Sequence, residues 1–406
     1  MINNQEGSHG KKRLIRYLMF GLLYFTQGTI LSYFTALNAL YLLEFGIDMT
    51  RIGIMGTIAL IPFVIKVFLG MLSDKVNLFG LGHRKPYIVI GLMVQTLCLI
   101  FVPLIDPGAN FWLYVTIAFL LQMGMALYDT CTDGLALDTT PISEKGTIQG
   151  FMVGGRAVGV IVTASLVGLL AENVSWSAVF WCLAILTLPP FFFLKVVSET
   201  PRIQERAFDW TAFSAFKQLP VIALAIIGFI FFLIIIGVNQ IVNPYLQETF
   251  NISLSTAGFF TTVWGVGVVL GSIIGGGLIN KLGNRNAVLI AIGVALVSIL
   301  ALATINQLAF AWFLVALFGI CYGTYQTVYF ALAMEYTDPR IAATMFSILM
   351  AVTNIGQGIG LGLTGFFADS FGFKMTFVIM ALLNFAVLPF LPMIFGRNAK
   401  KTPIPA

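Results

Sequence analysis

Apolar residues run through this chain in stretches of about twenty or more, parted by short polar breaks. A helix needs ~20 mainly apolar residues to cross a bilayer core. The pattern predicts an all-α membrane protein with twelve spans. They cover residues 14–43, 51–72, 86–105, 111–138, 147–171, 177–197, 218–247, 253–280, 286–305, 308–336, 340–368 and 374–396. One longer polar connection, 198–217, splits them into two six-helix bundles, 14–197 and 218–396. Polar tails, 1–13 and 397–406, flank the bundles. Asp338-Pro339-Arg340 reads as an N-cap followed by proline at the first helical position, the start of span 11.

Charge then orients the spans. With the N-terminus inside, eighteen lysines and arginines fall in cytoplasmic segments and only Arg51 and Lys374 fall outside. This asymmetry places both termini in the cytoplasm. Lys66 and Arg156 remain, and both lie within spans.

The two halves repeat. Tyr41-Leu42-Leu43-Glu44 closes span 1 and Tyr245-Leu246-Gln247-Glu248 closes span 7, an offset of 204 residues. Tyr128-Asp129 and Asp138 on span 4 return as Tyr325-Gln326 and Glu335 on span 10, an offset of 197. Gly159 returns as Gly356 at the same offset. The stretch around Gly70-Met71-Leu72-Ser73-Asp74-Lys75 and His83-Arg84-Lys85-Pro86-Tyr87 returns, loosely, as Gly276–Arg285. There Asn280 stands where Asp74 stood. Repeated halves joined by a cytoplasmic linker point to a binding cavity between them near mid-membrane.

Composition agrees with this pattern. Of 406 residues, 59% are hydrophobic and 10% charged, against about 25% charged in soluble domains. Cys98, Cys131, Cys182 and Cys321 sit in separate apolar runs and read as packing residues, with neither disulfide nor zinc spacing. The first apolar run is too long for a signal-peptide core and reads as an uncleaved span.

The pattern resembles the major facilitator superfamily over essentially the whole chain, with Gly70–Lys85 similar to that family's loop between helices 2 and 3. The resemblance implies that this loop locks a cytoplasmic gate. Its acid would be Asp74, and its base would face Asp138. A closer resemblance rests on Pro62, Lys66, Gly70, Ser73-Asp74, Phe79-Gly80, Arg84-Lys85-Pro86-Tyr87, Asp129, Asp133, Gln149-Gly150, Arg156 and Gly159. It points to the branch of folate–biopterin transporters, anhydromuropeptide permeases and bacteriochlorophyll-associated proteins. The loop also resembles that of glycoside–cation symporters. These likenesses imply a prokaryotic cytoplasmic membrane.

The intramembrane charges are the candidate chemistry. Asp129 and Asp133 are four apart and share a helix face. Lys66 and Arg156 lie at a depth comparable to Asp133, so two acids and two bases share one layer of the first half. An aspartate at a helix centre costs ~2.5–3.5 kcal/mol and should face a cavity or a partner. Two readings stand side by side: a proton-coupling or substrate-binding site, and a neutral network that holds spans 2, 4 and 5 together. Tyr24, Gln27, Asn239, Asn243, Tyr325 and Gln326 are candidate cavity contacts, with interhelical hydrogen bonding as the alternative. Gly70, Asp74, Lys75, Arg84 and Asp138 form the expected cytoplasmic gate. Lys281, Arg285 and Glu335 form its second-half counterpart, Glu335 pairing with one of the two bases.

No HExxH, nucleophile elbow or P-loop is present, which argues against an enzyme or an ATP-driven pump. The expectation is a secondary transporter of a small polar or anionic organic solute, working by alternating access with proton coupling. The alternatives are a non-transporting membrane assembly factor and a glycoside–cation symporter. Its partners are the substrate and membrane lipid. No cofactor, metal or nucleic acid is expected, and the chain is read as a monomer.

Overall fold

Helix is the regular structure throughout the described residues of the computed structural model, which are 2–80, 82–141, 144–194, 199, 217–336 and 342–396. Most of the predicted connection 198–217, the tail 397–406 and Asp338-Pro339-Arg340 lie outside them. So do the side chains of residues 2–12, Asp74 and Lys145.

The helices follow the apolar runs. They are α1 (Ile2–Ala36), α2 (Asn38–Glu44), α3 (Met49–Val64), α4 (Lys66–Lys75), α5 (Lys85–Phe101), α6 (Phe111–Thr139) and α7 (Lys145–Asn173). Next come α8 (Trp176–Leu186), α9 (Pro189–Leu194), α10 (Leu219–Phe250), α11 (Leu254–Ala303), α12 (Leu308–Glu335), α13 (Ala342–Leu382) and α14 (Leu391–Phe395). Among the described residues, ten helical stretches are long and apolar enough to cross a membrane.

The interruptions have local causes. Pro62 lies in the last turn of α3, where it removes a backbone donor and crowds the preceding turn; Ile65 then separates α3 from α4. Lys66 becomes the first residue of α4. Pro189 and Pro190 restart the helix after α8. The stretches α11 and α13 are each two helices meeting at a kink, where Gly283 and Gly372 leave the helical range at φ 75° and 77°, a backbone that glycine adopts without steric cost.

The chain divides into two compact units. The first holds Met1–Ile47, Ile65–Glu205 and Asn251–Thr262; the second holds Asp48–Val64, Arg206–Phe250 and Val263–Ala406. Within lipid, helix association depends on close packing and hydrogen bonds more than on apolar burial. In the first unit α1 and α7 approach until a Cβ on Gly28 or Gly159 would strike the other helix's backbone. Gly91 of α5 and Gly124 of α6 meet in the same reciprocal way. In the second unit Gly356 and Gly360 of α13 press on the carbonyls of Phe229 and Leu233 in α10, and Gly267 and Gly271 of α11 press on α12.

Candidate functional site

Three helices of the first unit carry the intramembrane charges, and α1 supplies neutral partners. Asp129 of α6 is buried. Its Oδ1 accepts from Gln27 Nε2 of α1 at 2.9 Å, and its Oδ2 lies 3.6 Å from Lys66 Nζ of α4. One turn further, Asp133 accepts from the Tyr24 hydroxyl of α1. Tyr24 and Gln27 are three residues apart, so one face of α1 serves both carboxylates. The break at Ile65 frees Lys66 to be the first residue of α4, beside α6.

Arg156 of α7 completes the layer differently. It stands within electrostatic range of Tyr24, Tyr128 and Asp133. Yet among the described residues no carboxylate lies within 4.0 Å of its guanidinium. The Tyr128 hydroxyl, within its electrostatic range, is buried with no protein partner; elsewhere in the unit Thr132 Oγ1 and Gln27 Oε1 are likewise buried without one. Buried polar groups are normally paired. A separate small cavity, lined by Ile30, Tyr33, Leu99, Tyr114 and Phe180, is apolar and holds none of these charges.

The second-half candidates sit in another setting. Tyr325 is fully buried, its ring stacked on Phe231 at 3.7 Å between centroids and its hydroxyl donating to Asn384 Oδ1 at 2.7 Å. Asn243 is buried in α10, whereas Asn239 and Gln326 are partly exposed. Their neighbour Gln240 donates to the Leu361 carbonyl at 3.2 Å.

At the foot of α4, Arg84 organises the predicted gate. Its Nε lies 3.4 Å from Asp138 Oδ2, and its Nη1 donates to Ser73 Oγ at 2.7 Å. Gly134 leaves the space its guanidinium fills. Gly70 packs against Thr130, where a Cβ would come to 3.0 Å of the threonine methyl. Lys75 is exposed at the end of α4. The side chain of Asp74 lies outside the described residues. In the second half, Lys281 and Arg285 are exposed, and Asn284 donates to Glu335. Neither base has a carboxylate within 4.0 Å among the described residues.

The sequence profile of the Major Facilitator Superfamily matches residues 18–346 and 224–406. The chain belongs to the Major Facilitator Superfamily. It is 26% identical over 359 residues to the folate-biopterin transporter of Synechocystis sp. (strain ATCC 27184 / PCC 6803 / Kazusa), a match covering 82% of this chain and 70% of that one. It is 20% identical over 367 residues to the anhydromuropeptide permease of Escherichia coli (strain K12), covering 86% and 72%. Among solved structures, that of the nucleoside transporter NupG matches with a TM-score of 0.76 at 14% identity, covering 93% of this chain and 98% of that one; this likeness is one of fold. The protein is thus a multi-pass membrane protein and a solute transporter, not an enzyme.

Within this superfamily member, the structure adds residues that sequence reading missed. Glu199, at the head of the long connection, accepts from the backbone N–H groups of His83 at 2.7 Å and Arg84 at 2.8 Å. It caps the start of α5, whose own N-cap residue gives no side-chain bond. Glu144 pairs with Arg13 at 3.3 Å and with Arg16, tying α1 to the start of α7. Both acids are loop residues, and no periodicity marks them.

Proposed function

We propose that the protein is a twelve-span, proton-coupled transporter of a small anionic organic solute, with both termini in the cytoplasm. The 50-residue α11 would measure ~75 Å at 1.5 Å per residue, more than twice the ~30 Å hydrocarbon core. Two crossings turned at Gly283, and two more turned at Gly372, fit the bilayer and bring the count to twelve. The excess of lysine and arginine in alternate connections supports the orientation.

The observation that carries the functional reading is the unequal pairing of the charged layer. Asp129 has an ammonium and an amide; Asp133 has a hydroxyl; Arg156 has no carboxylate among the described residues. A solute anion placed on Arg156 meets a charge-assisted, planar donor set, with Tyr128 as a neutral neighbour. Asp129, buried beside Lys66, is the proposed proton-coupling residue. The names of the relatives, a folate-biopterin transporter and an anhydromuropeptide permease, support an organic solute.

Reconstituted vesicles with an imposed pH gradient test this reading. A panel of carboxylated, phosphorylated and neutral sugars, nucleosides and pteridines is offered. Gradient-driven accumulation restricted to the anionic members is the expected result. Accumulation of neutral members alone, or of none, overturns it.

A further inference from the structure

Asp129 and Asp133 share their face of α6 with a third polar residue, Gln122. It stands seven residues before Asp129, two helical turns away on the same face and ~10 Å along the axis. Gly124 fixes the direction. It meets Gly91 of α5, and Gln122 lies two residues back, ~200° round the helix, on the side away from α5.

Gln122 is only 7% exposed, and its Oε1 is buried with no protein partner among the described residues. An amide oxygen buried without a donor costs stability, and lipid offers no water to make up the loss. A leucine would fill similar space without that cost.

The repeat sharpens the point. At the offset of 197 residues Gln122 corresponds to Gly319. Glycine there lets α12 press on the Trp264 carbonyl of α11, which a Cβ would strike. The second half thus uses this position for close packing. The first half places a long amide at it, so the side chain itself is what the position supplies.

Depth ties Gln122 to the charged layer. A Cβ on Gly28 would strike the Arg156 carbonyl, and Gln27, the residue before Gly28, holds Asp129. Arg156 and Asp129 therefore share one level. Gln122 lies two turns from it, on the side away from Asp138 and Arg84. A glutamine amide offers an acceptor and a donor side by side. Its complement is another amide, whose N–H reaches Oε1 while its carbonyl accepts from Nε2. An ester would leave Oε1 unpaired.

We propose that Gln122 is a specificity residue of the transporter, recognising an amide or lactam group that the solute carries ~10 Å from the anionic group on Arg156. The solute class narrows from a small organic anion to an extended one with a neutral N–H and C=O at its far end. The proposal rests on the reading of Arg156 as the anion site.

Calorimetric titration of the full chain in lipid nanodiscs tests it with two probes, ω-acetamidooctanoate and ω-acetoxyoctanoate. Both are anions of the same length, and they differ in an amide N–H against an ester oxygen. The wild type should bind the amide about fivefold more tightly, the equivalent of one neutral hydrogen bond. Gln122→Leu should bind the two equally, with the loss falling on the amide. Gln122→Met makes the same comparison should the leucine variant fail to fold. Arg156→Gln should weaken both probes by a common factor. Equal affinities in the wild type, binding of neither probe, or an amide preference that survives in Gln122→Leu overturns the proposal. Unchanged binding of both probes to Arg156→Gln overturns the anion reading instead, and the Gln122 comparison then still decides the amide contact.

Discussion

The two halves of the chain place different chemistry at equivalent positions. In the first half Tyr24, Gln27, Lys66, Asp129, Asp133 and Arg156 form a polar, charged layer. At the repeat offsets the second half has Gly228, Phe231, Gly271, Gln326, Phe330 and Thr353. Only Gln326 keeps a strongly polar group. Tyr128 and Tyr325 correspond, yet their hydroxyls differ in kind. That of Tyr128 is buried with no protein partner near Arg156, whereas that of Tyr325 is held by Asn384. Gly228 is small because the Tyr329 ring fills its place. At these positions the charged groups lie in the first half alone.

The largest expected effect comes from taking Lys66 away. Lys66→Ala leaves the Asp129 carboxylate without its cation, and breaking a buried pair costs ~3–5 kcal/mol. The Lys66 side chain keeps 23% exposure, so the lower end, about 3 kcal/mol, is expected in thermal unfolding in detergent. Adding Asp129→Asn should recover most of it. Next in size is Arg156→Gln. It should raise the KM for an anionic solute about tenfold or more, since hydrogen bonds to charged groups are worth ~1.5–3 kcal/mol. Its melting point should barely move, because among the described residues no carboxylate within 4.0 Å loses a partner. A large loss of stability would make Arg156 a structural cation and erase the contrast between the halves.

The second-half variants should be milder. Tyr325→Phe strips Asn384 Oδ1 of its donor and should cost ~1–2 kcal/mol in stability, with uptake kinetics unchanged. A strong uptake defect would move the substrate site into the second half. The smallest effect is expected at Glu335. Glu335→Gln keeps an acceptor for Asn284 at an exposed site, so its cost should stay below ~0.5 kcal/mol, whereas Asp138→Asn, which strips Arg84 of its carboxylate, should exceed it.

Much of this was legible in the amino-acid order because a membrane makes polar residues conspicuous. Lys66, Asp129, Asp133 and Arg156 stand out in apolar runs, and the four-residue spacing of the aspartates puts them on one face. The partnership of Arg84 with Asp138 follows from the family resemblance, whereas the break after Pro62 divides what was read as one span, 51–72. Gln27 and Tyr24 were legible as a shared face, though not as the partners of Asp129 and Asp133. Glu199 and Glu144 were not legible, since their roles depend on where loops fold back. The turn between the spans 253–280 and 286–305 was legible, and the backbone leaves the helix there at Gly283. Glu335 was expected beside Lys281 or Arg285 and meets Asn284, because an exposed side chain has several partners within reach and no burial to select among them.

The most direct test is made on Asp129. Vesicles carrying Asp129→Asn are compared with wild type for accumulation of an anionic solute under an imposed pH gradient and for exchange of that solute with no gradient. A proton carrier at Asp129 predicts that accumulation disappears while exchange continues at a rate within a few-fold of wild type. Gradient-driven accumulation by the variant would contradict proton coupling through Asp129. Loss of accumulation and exchange together would show the Lys66–Asp129 pair to be structural.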